Sequence, residues 1–212
     1  MSKHSIPPLN LFMMCSAINP DAFRSLPDGF HFRYCRKNEL ESWKLLCLED
    51  PRYIDFLIDY YQKVYAHRED EFFRRCLFAC NENDTPIGTC FLWNAYGKIN
   101  TLHWFRVLPE YEGKGIGRAL LTRVLRPLAQ QDFPVFIHTH PSSFRAIKLY
   151  TDFGFRLLSC PDKIGYRSND YAQSLPYLRE SMPEKVYAGL PDALPAPESL
   201  LDAALLTEYE QF

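Results

Sequence analysis

The 212-residue chain contains 47% hydrophobic and 15% aromatic residues, which suffices to bury a sizeable core in one domain with room for a small appendage. Its net charge of −2 and its pI of about 6.3 exclude the broad basic surface that most nucleic-acid-binding proteins carry. We therefore expect a globular protein without a nucleic-acid partner.

The cysteines and the longest N-terminal apolar run bear on the compartment. The seven cysteines are odd in number and include no C-x-x-C pair, so they predict reduced, mostly buried thiols and no metal centre. The apolar run Leu9–Ile18 is too short to span a membrane, and Pro7 and Pro8 precede it. The sequence thus predicts a cytoplasmic protein that does not enter a membrane.

The first half of the chain predicts an N-terminal extension followed by a mixture of helices and strands. Apolar residues at helical spacing predict helices over Asn38–Cys47 and Ile54–His67. Alternating or continuous apolar runs predict the strands Phe30–Tyr34, Cys76–Cys80, Ile87–Trp93 and Lys98–Val107. The polar segment after Cys80 and the pair Tyr96–Gly97 predict the two hairpin turns that join the last three strands.

A glycine-rich segment follows the strand Lys98–Val107. It places Gly113, Gly115 and Gly117 before a helical pattern that starts near Ala119. A strand, a glycine-rich turn and a helix in this order aim the helix N-terminus at the turn, where a phosphate or pyrophosphate is stabilised. The segment lacks the G-x-x-x-x-G-K-[ST] pattern of a P-loop, and its G-x-G-x-G spacing differs from that of a dinucleotide-binding turn. A plain connecting turn is the alternative at this point.

The second half of the chain continues with a strand, a helix and a further strand. The predicted elements are the strand Pro134–Thr139, a helix capped by Ser143 and ending at Asp152, and a strand over Phe155–Ser159. Gly154 follows that helix in the position of a C-cap glycine. Beyond it we expect a helix over Asp170–Ser181 despite Pro176, a proline-rich linker over 183–197, and an amphipathic helix over Pro197–Phe212.

Two motifs resemble the signatures of one enzyme family. Glu112–Gly117 (EGKGIG) is similar to [QR]-x-x-G-x-[GA], with Glu112 where Gln or Arg is usual. His140–Leu158 (HPSSFRAIKLYTDFGFRLL) is similar to N-x-x-A-x-x-L-Y-x-x-x-G-F, with Ser143 in place of Asn. The order and separation of the two motifs resemble those of the GCN5-related N-acetyltransferase (GNAT) superfamily, and the resemblance extends over about residues 30–159.

The resemblance implies a fold, a domain organisation and an activity. The fold is α+β, the acyl-CoA N-acyltransferase fold of α/β sandwich type, in which helices flank a mixed, mostly antiparallel sheet. We expect an N-terminal extension packed on the domain (1–29), the acetyltransferase domain (30–168) and a C-terminal helical extension (169–212). The implied activity is transfer of an acetyl group from acetyl-CoA to a primary amine of a small molecule or peptide, by direct attack in a ternary complex.

An alternative reading stays open beside the enzyme. Because Glu112 and Ser143 depart from the family pattern, the chain is also compatible with a non-catalytic module of the same fold that binds coenzyme A or a protein partner. Many members of the superfamily are dimers, so the resemblance also leads us to expect a homodimer.

The resemblance assigns roles to individual residues. The residues expected to bind acetyl-CoA are Phe105, Arg106, Val107, Glu112, Gly113, Lys114, Gly115, Ile116, Gly117, Arg118, Ser143 and Tyr150. Tyr150 matches the family tyrosine that lies near the coenzyme sulfur, and is the expected general acid. The expected general base is His138 or His103, because a histidine titrates near neutral pH; a water chain is the alternative.

Overall fold

The computed structural model describes residues 6–48, 50–205 and 209–212. The strands are β1 (Leu11–Cys15), β2 (His31–Tyr34), β3 (Leu77–Cys80), β4 (Pro86–Ala95), β5 (Ile99–Val107), β6 (Val135–Thr139), β7 (Arg156–Cys160), β8 (Lys163–Ile164), β9 (Arg167–Ser168) and β10 (Leu194–Pro195). The helices are α1 (Leu40–Cys47), α2 (Ile54–Val64), α3 (Glu69–Arg75), α4 (Ile116–Leu125), α5 (Phe144–Asp152), α6 (Tyr171–Ser181), α7 (Glu184–Ala188) and α8 (Glu198–Ala204). Within these described ranges, no helix combines the length and the apolar character needed to cross a bilayer.

The chain divides into two compact units, and β4 and β5 have residues in both. The first unit comprises the N-terminal segment through Asp21, together with Asn94–Thr101 and Leu128–Phe212. The second unit comprises Ala22–Trp93 and Leu102–Pro127.

The sheet of the first unit is built around β1. Its strand order is β10, β7, β1, β6, with the first residues of β5 beside β6. β1 pairs antiparallel with both neighbours, placing Leu11 opposite Thr139 of β6 and Met13 opposite Leu157 of β7. β5 runs parallel to β6, and β10 runs parallel to β7. All five residues of β1 are buried, so this strand is apolar on both faces, as a central strand must be.

The second unit has an antiparallel meander and an aromatic core. β2 pairs with β3 and β3 with β4, both antiparallel. Trp43 of α1 packs edge to face on Phe72 of α3, with 4.9 Å between ring centroids. Tyr65, which follows α2, packs in the same way on Trp93 of β4, also at 4.9 Å. These four rings are fully buried and hold α1, α2 and α3 on the strands of this unit.

The predicted fold class is confirmed. The sheet is mixed and mostly antiparallel, and helices accompany it in an α+β arrangement. The predicted strands and most of the predicted helices are present with bounds shifted by a few residues. Gly154 follows α5 with a φ of 102°, and the N–H of Phe155 donates to the carbonyl of Tyr150 at 3.1 Å, which is the hydrogen bond of a glycine C-cap. The domain boundaries stay a prediction.

Four details of the predicted elements need correction. The helix predicted over Ile54–His67 ends at Val64, and a separate helix, α3, follows it. The run Leu9–Ile18 contains the strand β1, which was not predicted from the sequence. The segment predicted as a linker over 183–197 contains α7 and β10. The helix predicted over Pro197–Phe212 ends as α8 at Ala204; its residues 206–208 lie outside the described residues.

The central position of β1 can be tested with two identical substitutions. We expect Leu11→Ala to lower the free energy of unfolding by about 3 kcal/mol, because the fully buried Leu11 leaves a cavity between paired strands. Leu45→Ala, on an exposed face of α1, should change it by less than about 0.5 kcal/mol. Urea denaturation of both variants measures the difference, and equal losses would contradict a central β1.

Candidate active site

The glycine-rich turn lies in the second unit, between β5 and α4. The chain leaves β5 at Val107, makes one turn of 3₁₀ helix over Pro109–Tyr111, and reaches Gly113 and Gly115. These glycines have φ values of 75° and 85°, a left-handed conformation that residues with a Cβ rarely adopt. Gly115 is the N-cap of α4, and a glycine has no side chain that could cap the helix. The first N–H groups of α4 therefore need an acceptor other than the N-cap side chain.

The surface above this turn is open. A Cβ built at Gly113 would have no heavy atom of the described residues within 4 Å, and one at Gly115 would lie 3.7 Å from Cγ of Pro27. The turn is exposed from Glu112 through Gly115. A ligand oxygen can thus approach the backbone more closely than side chains would permit, which is the arrangement a pyrophosphate requires.

Two cationic side chains lie close together in the sequence here, Lys114 in the turn and Arg118 in the first turn of α4. The Nζ atom of Lys114 lies 4.9 Å from the ring centroid of Tyr111, and Nη1 of Arg118 donates to the carbonyl of Ala22 at 3.4 Å. The first turn of α4 contains no acidic residue. The positive end of the helix dipole and the two cations therefore favour an anion at this position.

The strand that leads into the turn is held close to β4. A Cβ at Gly88 would lie 3.0 Å from the carbonyl oxygen of Arg106 and 3.3 Å from Cγ2 of Val107, so any larger residue would push β5 away. The N–H of Leu108 donates to the carbonyl of Ile87 at 2.8 Å. These contacts fix the backbone of the predicted coenzyme-binding residues Phe105–Val107, which are half-buried.

An irregular residue interrupts β5 just before that stretch. Trp104 has a φ of 52°, which is uncommon for an aromatic residue. Its Nε1–H donates to the hydroxyl of Tyr65 at 2.8 Å, and its ring packs on Trp43 with 5.6 Å between centroids. These contacts hold the left-handed conformation in place, and the strand therefore changes its course between His103 and Phe105.

His103 lies inside the aromatic core of the second unit. It is 4% exposed, and its Nδ1 is hydrogen-bonded to the hydroxyl of Tyr65. Burial lowers the pKa of His103 from 6.5 to about 3, because the imidazolium cannot be solvated there. His103 is therefore neutral at physiological pH and is surrounded by Tyr65, Phe91 and other rings.

Two predicted site residues lie on or next to α5, in the first unit. Tyr150 is buried, 5% exposed, with its ring 5.9 Å from that of Phe155. Ser143 is half-buried and occupies the N-cap position, as predicted. Its hydroxyl makes no capping hydrogen bond with the helix, so the predicted capping interaction is wrong.

His138 also belongs to the first unit, on β6. Its Nε2 lies 2.9 Å from Oδ1 of Asn10, and its ring lies 5.2 Å from that of Phe12. The ring of His140 lies 4.9 Å from His138, and its Nδ1 is 2.9 Å from the carbonyl of Leu9. His138 is half-buried, in contrast to the fully enclosed His103.

The structure thus gathers the predicted residues in two groups. The second unit holds Phe105–Val107, the glycine-rich turn and His103, and the first unit holds Ser143, Tyr150 and His138. Asn10 was not predicted as a site residue, because nothing in the N-terminal segment shows that it borders β6. Gly88 was not predicted either, although a glycine inside an apolar strand indicates close approach of another backbone.

The cysteines are mostly buried, as predicted. Six of the seven are buried and Cys160 is exposed. Burial raises the pKa of Cys15 to about 12 and that of Cys80 to about 11, so both thiols stay protonated.

One cluster in the second unit contains residue types that bind metals. Ligand atoms of His31, Cys80 and Asp84 lie within 4.8 Å of one another. The carboxylate of Asp84, however, also accepts from Arg33 at 2.6 Å and from Arg36 at 2.9 Å. The Arg33 guanidinium holds the pKa of Asp84 below its ordinary value, and the two guanidinium groups together with a protonated thiol disfavour a cation there.

Comparison with known protein families shows to which family the chain belongs. The model of the acetyltransferase (GNAT) family matches residues 37–155, more than half of the 212 residues. The chain belongs to this family. The matched range includes the glycine-rich turn, Ser143 and Tyr150 of this GNAT protein, and begins after β1. A comparison with curated proteins gave no match.

Solved structures similar to this GNAT protein include three bacterial proteins. An acetyltransferase of the GNAT family from Staphylococcus aureus is 15% identical over 58% of this chain and 81% of its own, with a TM-score of 0.44. A GCN5-related N-acetyltransferase from Sphaerobacter thermophilus is 18% identical over 65% and 44%, with a TM-score of 0.46. An acetyltransferase from the GNAT family of Colwellia psychrerythraea is 15% identical over 71% and 53%, with a TM-score of 0.49. The chain thus spans about half the length of the last two.

The buried state of His103 predicts a pH dependence of stability. Below pH 6.5, the ordinary pKa of histidine, His103 becomes protonated in the unfolded chain. In the folded chain His103 stays neutral until the pH approaches about 3. The free energy of unfolding should therefore fall as the pH drops from 6.5 towards 3, by up to about 1.4 kcal/mol per pH unit from this group.

Urea denaturation at several pH values measures this contribution as a difference between proteins. His103→Gln should show a shallower loss of stability over that window than the wild type. His67→Gln, at an exposed position, is the control and should keep the wild-type slope. A His103→Gln variant with an unchanged slope would contradict a neutral, buried His103.

Proposed function

We propose that the protein is an N-acetyltransferase that transfers an acetyl group from acetyl-CoA to a primary amine of a small molecule or peptide. The observation that carries the proposal is the turn at Gly113 and Gly115, whose left-handed, exposed backbone leads directly into the N-terminus of α4, where the N-cap residue is a glycine. Membership of the acetyltransferase family supports the same conclusion.

In this proposal the turn binds the pyrophosphate of the coenzyme. Backbone N–H groups of Gly113–Arg118 donate to its oxygens, and Lys114 and Arg118 add positive charge. Glu112 lies at the edge of the turn and contributes its backbone. Backbone groups of Phe105–Val107 would bind the pantetheine arm and the thioester oxygen, and Ser143 would donate its hydroxyl, which is not used for capping.

The reaction then requires two proton transfers. The neutral amine attacks the thioester carbon, so that a C–N bond forms and the C–S bond breaks. His138 accepts the proton that the amine nitrogen loses, and Tyr150 donates a proton to the departing thiolate. Exchange with solvent restores both groups, and the products are an amide and coenzyme A.

His138 suits the role of base better than His103 does. His103 is enclosed by aromatic rings, and its lowered pKa makes it a weak proton acceptor. His138 is half-buried on β6, in the same unit as Tyr150. A base must come within hydrogen-bond reach of the amine, and a partly exposed side chain can do so.

Binding of acetyl-CoA is the first test, by calorimetric titration. Gly115→Glu should weaken binding at least about 100-fold, because its carboxylate would occupy the pyrophosphate position. Gly97→Glu is the matched control: Gly97 also has a positive φ, 67°, and a Cβ there would meet no atom within 4 Å in the described part of the chain. The control should bind like the wild type, so the backbone strain common to both variants cannot explain the difference.

The outcomes separate the proposal from its alternative. Binding together with release of free thiol in the presence of an amine panel supports the enzyme. Binding without transfer to any amine would favour the non-catalytic coenzyme A-binding module, which the departures at Glu112 and Ser143 leave open. No binding by the wild type would overturn both the enzyme and the coenzyme A-binding module, and would favour the module that binds a protein partner.

Tyr150→Phe tests the general acid. The substitution keeps the buried ring and removes the hydroxyl, so kcat should fall about 100-fold while the affinity for acetyl-CoA changes little. Tyr166→Phe, at a position that is 57% exposed, should keep the wild-type kcat. Steady-state kinetics with the best amine measures both, and a Tyr150→Phe variant with full kcat would remove the assigned role.

A further inference from the structure

A chain of hydrogen bonds in the first unit leads from Asp170 to His138. Ser168 Oγ lies 2.8 Å from Oδ2 of Asp170, and Asn10 Nδ2 lies 3.1 Å from Ser168 Oγ. Asn10 Oδ1 in turn lies 2.9 Å from Nε2 of His138. The backbone N–H of Asn10 also donates to Asp170 Oδ2 at 2.8 Å, which anchors the residue directly before β1.

The chemistry of the partners fixes the direction of every bond in this chain. A carboxylate only accepts, so the hydroxyl of Ser168 donates to Asp170, and its oxygen accepts from the amide nitrogen of Asn10. This orientation turns the amide oxygen of Asn10 towards His138. Because an amide oxygen only accepts, Nε2 of His138 must carry a proton. The neutral imidazole then has its lone pair on Nδ1.

We infer that Asn10 is a positioning residue, which keeps His138 in the Nε2-protonated form so that Nδ1 takes the proton from the acceptor amine. The inference rests on the proposed function. Asn10 belongs to the N-terminal segment, which lies outside residues 37–155, the range that the family model matches. Pairing of β1 with β6, which places Phe12 opposite His138, brings it there.

A neutral amide suits this role for an electrostatic reason. It orients the imidazole without adding a charge, whereas a carboxylate at the same distance would stabilise the imidazolium and delay loss of its proton. Two titratable groups in the described part of the first unit, His140 and Asp170, are linked to His138 directly or through its hydrogen-bond chain. The ring of His140 packs edge to face on that of His138, and its Nδ1 is hydrogen-bonded to the carbonyl of Leu9, while Asp170 is connected to His138 through Ser168 and Asn10.

The tautomer of His138 can be measured without any activity. Two-bond ¹H–¹⁵N correlation spectra of protein labelled at histidine, with His138→Gln for assignment, should show neutral His138 protonated at Nε2. Asn10→Ala should give a mixture of tautomers. Asn100→Ala is the matched control, because Asn100 also donates from its amide, to the carbonyl of Asp132 at 2.9 Å, but lies outside the chain to His138.

Two results of this measurement would overturn the inference. One is a wild-type His138 that is protonated at Nδ1, and the other is a tautomer that Asn10→Ala leaves unchanged. If Asn100→Ala also gives a mixture of His138 tautomers, the change in Asn10→Ala is caused by general destabilisation and not by loss of the Asn10 amide, which would overturn the inference too.

The pH dependence of kcat tests the catalytic consequence. Asn10→Asp is nearly isosteric, and its carboxylate should move the acidic limb of the profile to higher pH by about one unit. Asn10→Ala should lower kcat by roughly 10-fold or more, with little change in the KM for acetyl-CoA. An acidic limb that stays in place in Asn10→Asp would overturn the positioning role.

Failure of the proposed function is distinguishable from failure of this inference. If the wild type transfers an acetyl group to no amine, the proposed function is overturned. The catalytic role of Asn10 is then overturned as well, even if Asn10 sets the tautomer of His138. If the wild type is active but His138→Gln keeps the acidic limb, the enzyme stands, and the roles of His138 and Asn10 are overturned.

Discussion

Antiparallel pairing of β1 with both β6 and β7 organises the first unit. It buries all five residues of β1, and it places the residues on either side of the strand against the predicted site. Before the strand, Asn10 reaches His138. After it, the carbonyl of Ala17 approaches Gly154 so closely that a Cβ there would lie 2.7 Å from its oxygen. The glycine of the second motif therefore ends α5 in a left-handed conformation and also leaves space for the N-terminal segment.

The polar groups of the second unit lie in two environments, the buried aromatic core and the exposed turn. The aromatic core encloses His103 and Tyr65, and burial lowers the pKa of the histidine and raises that of the tyrosine, so neither carries charge near neutral pH. The exposed turn after β5 and the first turn of α4 instead combine Lys114 and the half-buried Arg118 with the end of a helix dipole. Polar groups that stabilise the core are thus kept uncharged, and the charges that favour an anion lie where water and ligands have access.

Much of this arrangement was predictable from the sequence, and the exceptions have physical reasons. The turn and α4 were predicted because glycine conformation and helix termini follow from local sequence. β1 was not predicted, because a central strand is apolar on both faces and LFMMC therefore shows no alternation of apolar and polar residues. α3 was not predicted, because Phe72 and Phe73 are its only large apolar residues and show no helical periodicity. Its acidic residues in the first turn and arginines in the last turn do follow the charge pattern of a short helix. Asn10 and His138 meet through pairing of distant segments, which no local pattern reports.

The position of β1 also affects how a nascent chain acquires this structure. β1 leaves the ribosome before the other described strands, but β6 and β7 are synthesised only after every residue of the second unit has been made. The second unit can therefore bury its aromatic core while the first still lacks both neighbours of its central strand. During that interval LFMMC is an apolar segment with unpaired backbone groups, and it is a natural substrate for chaperones and a potential partner in non-native strand pairing. Closure of the first unit is a late, long-range event, which makes it the slower part of folding.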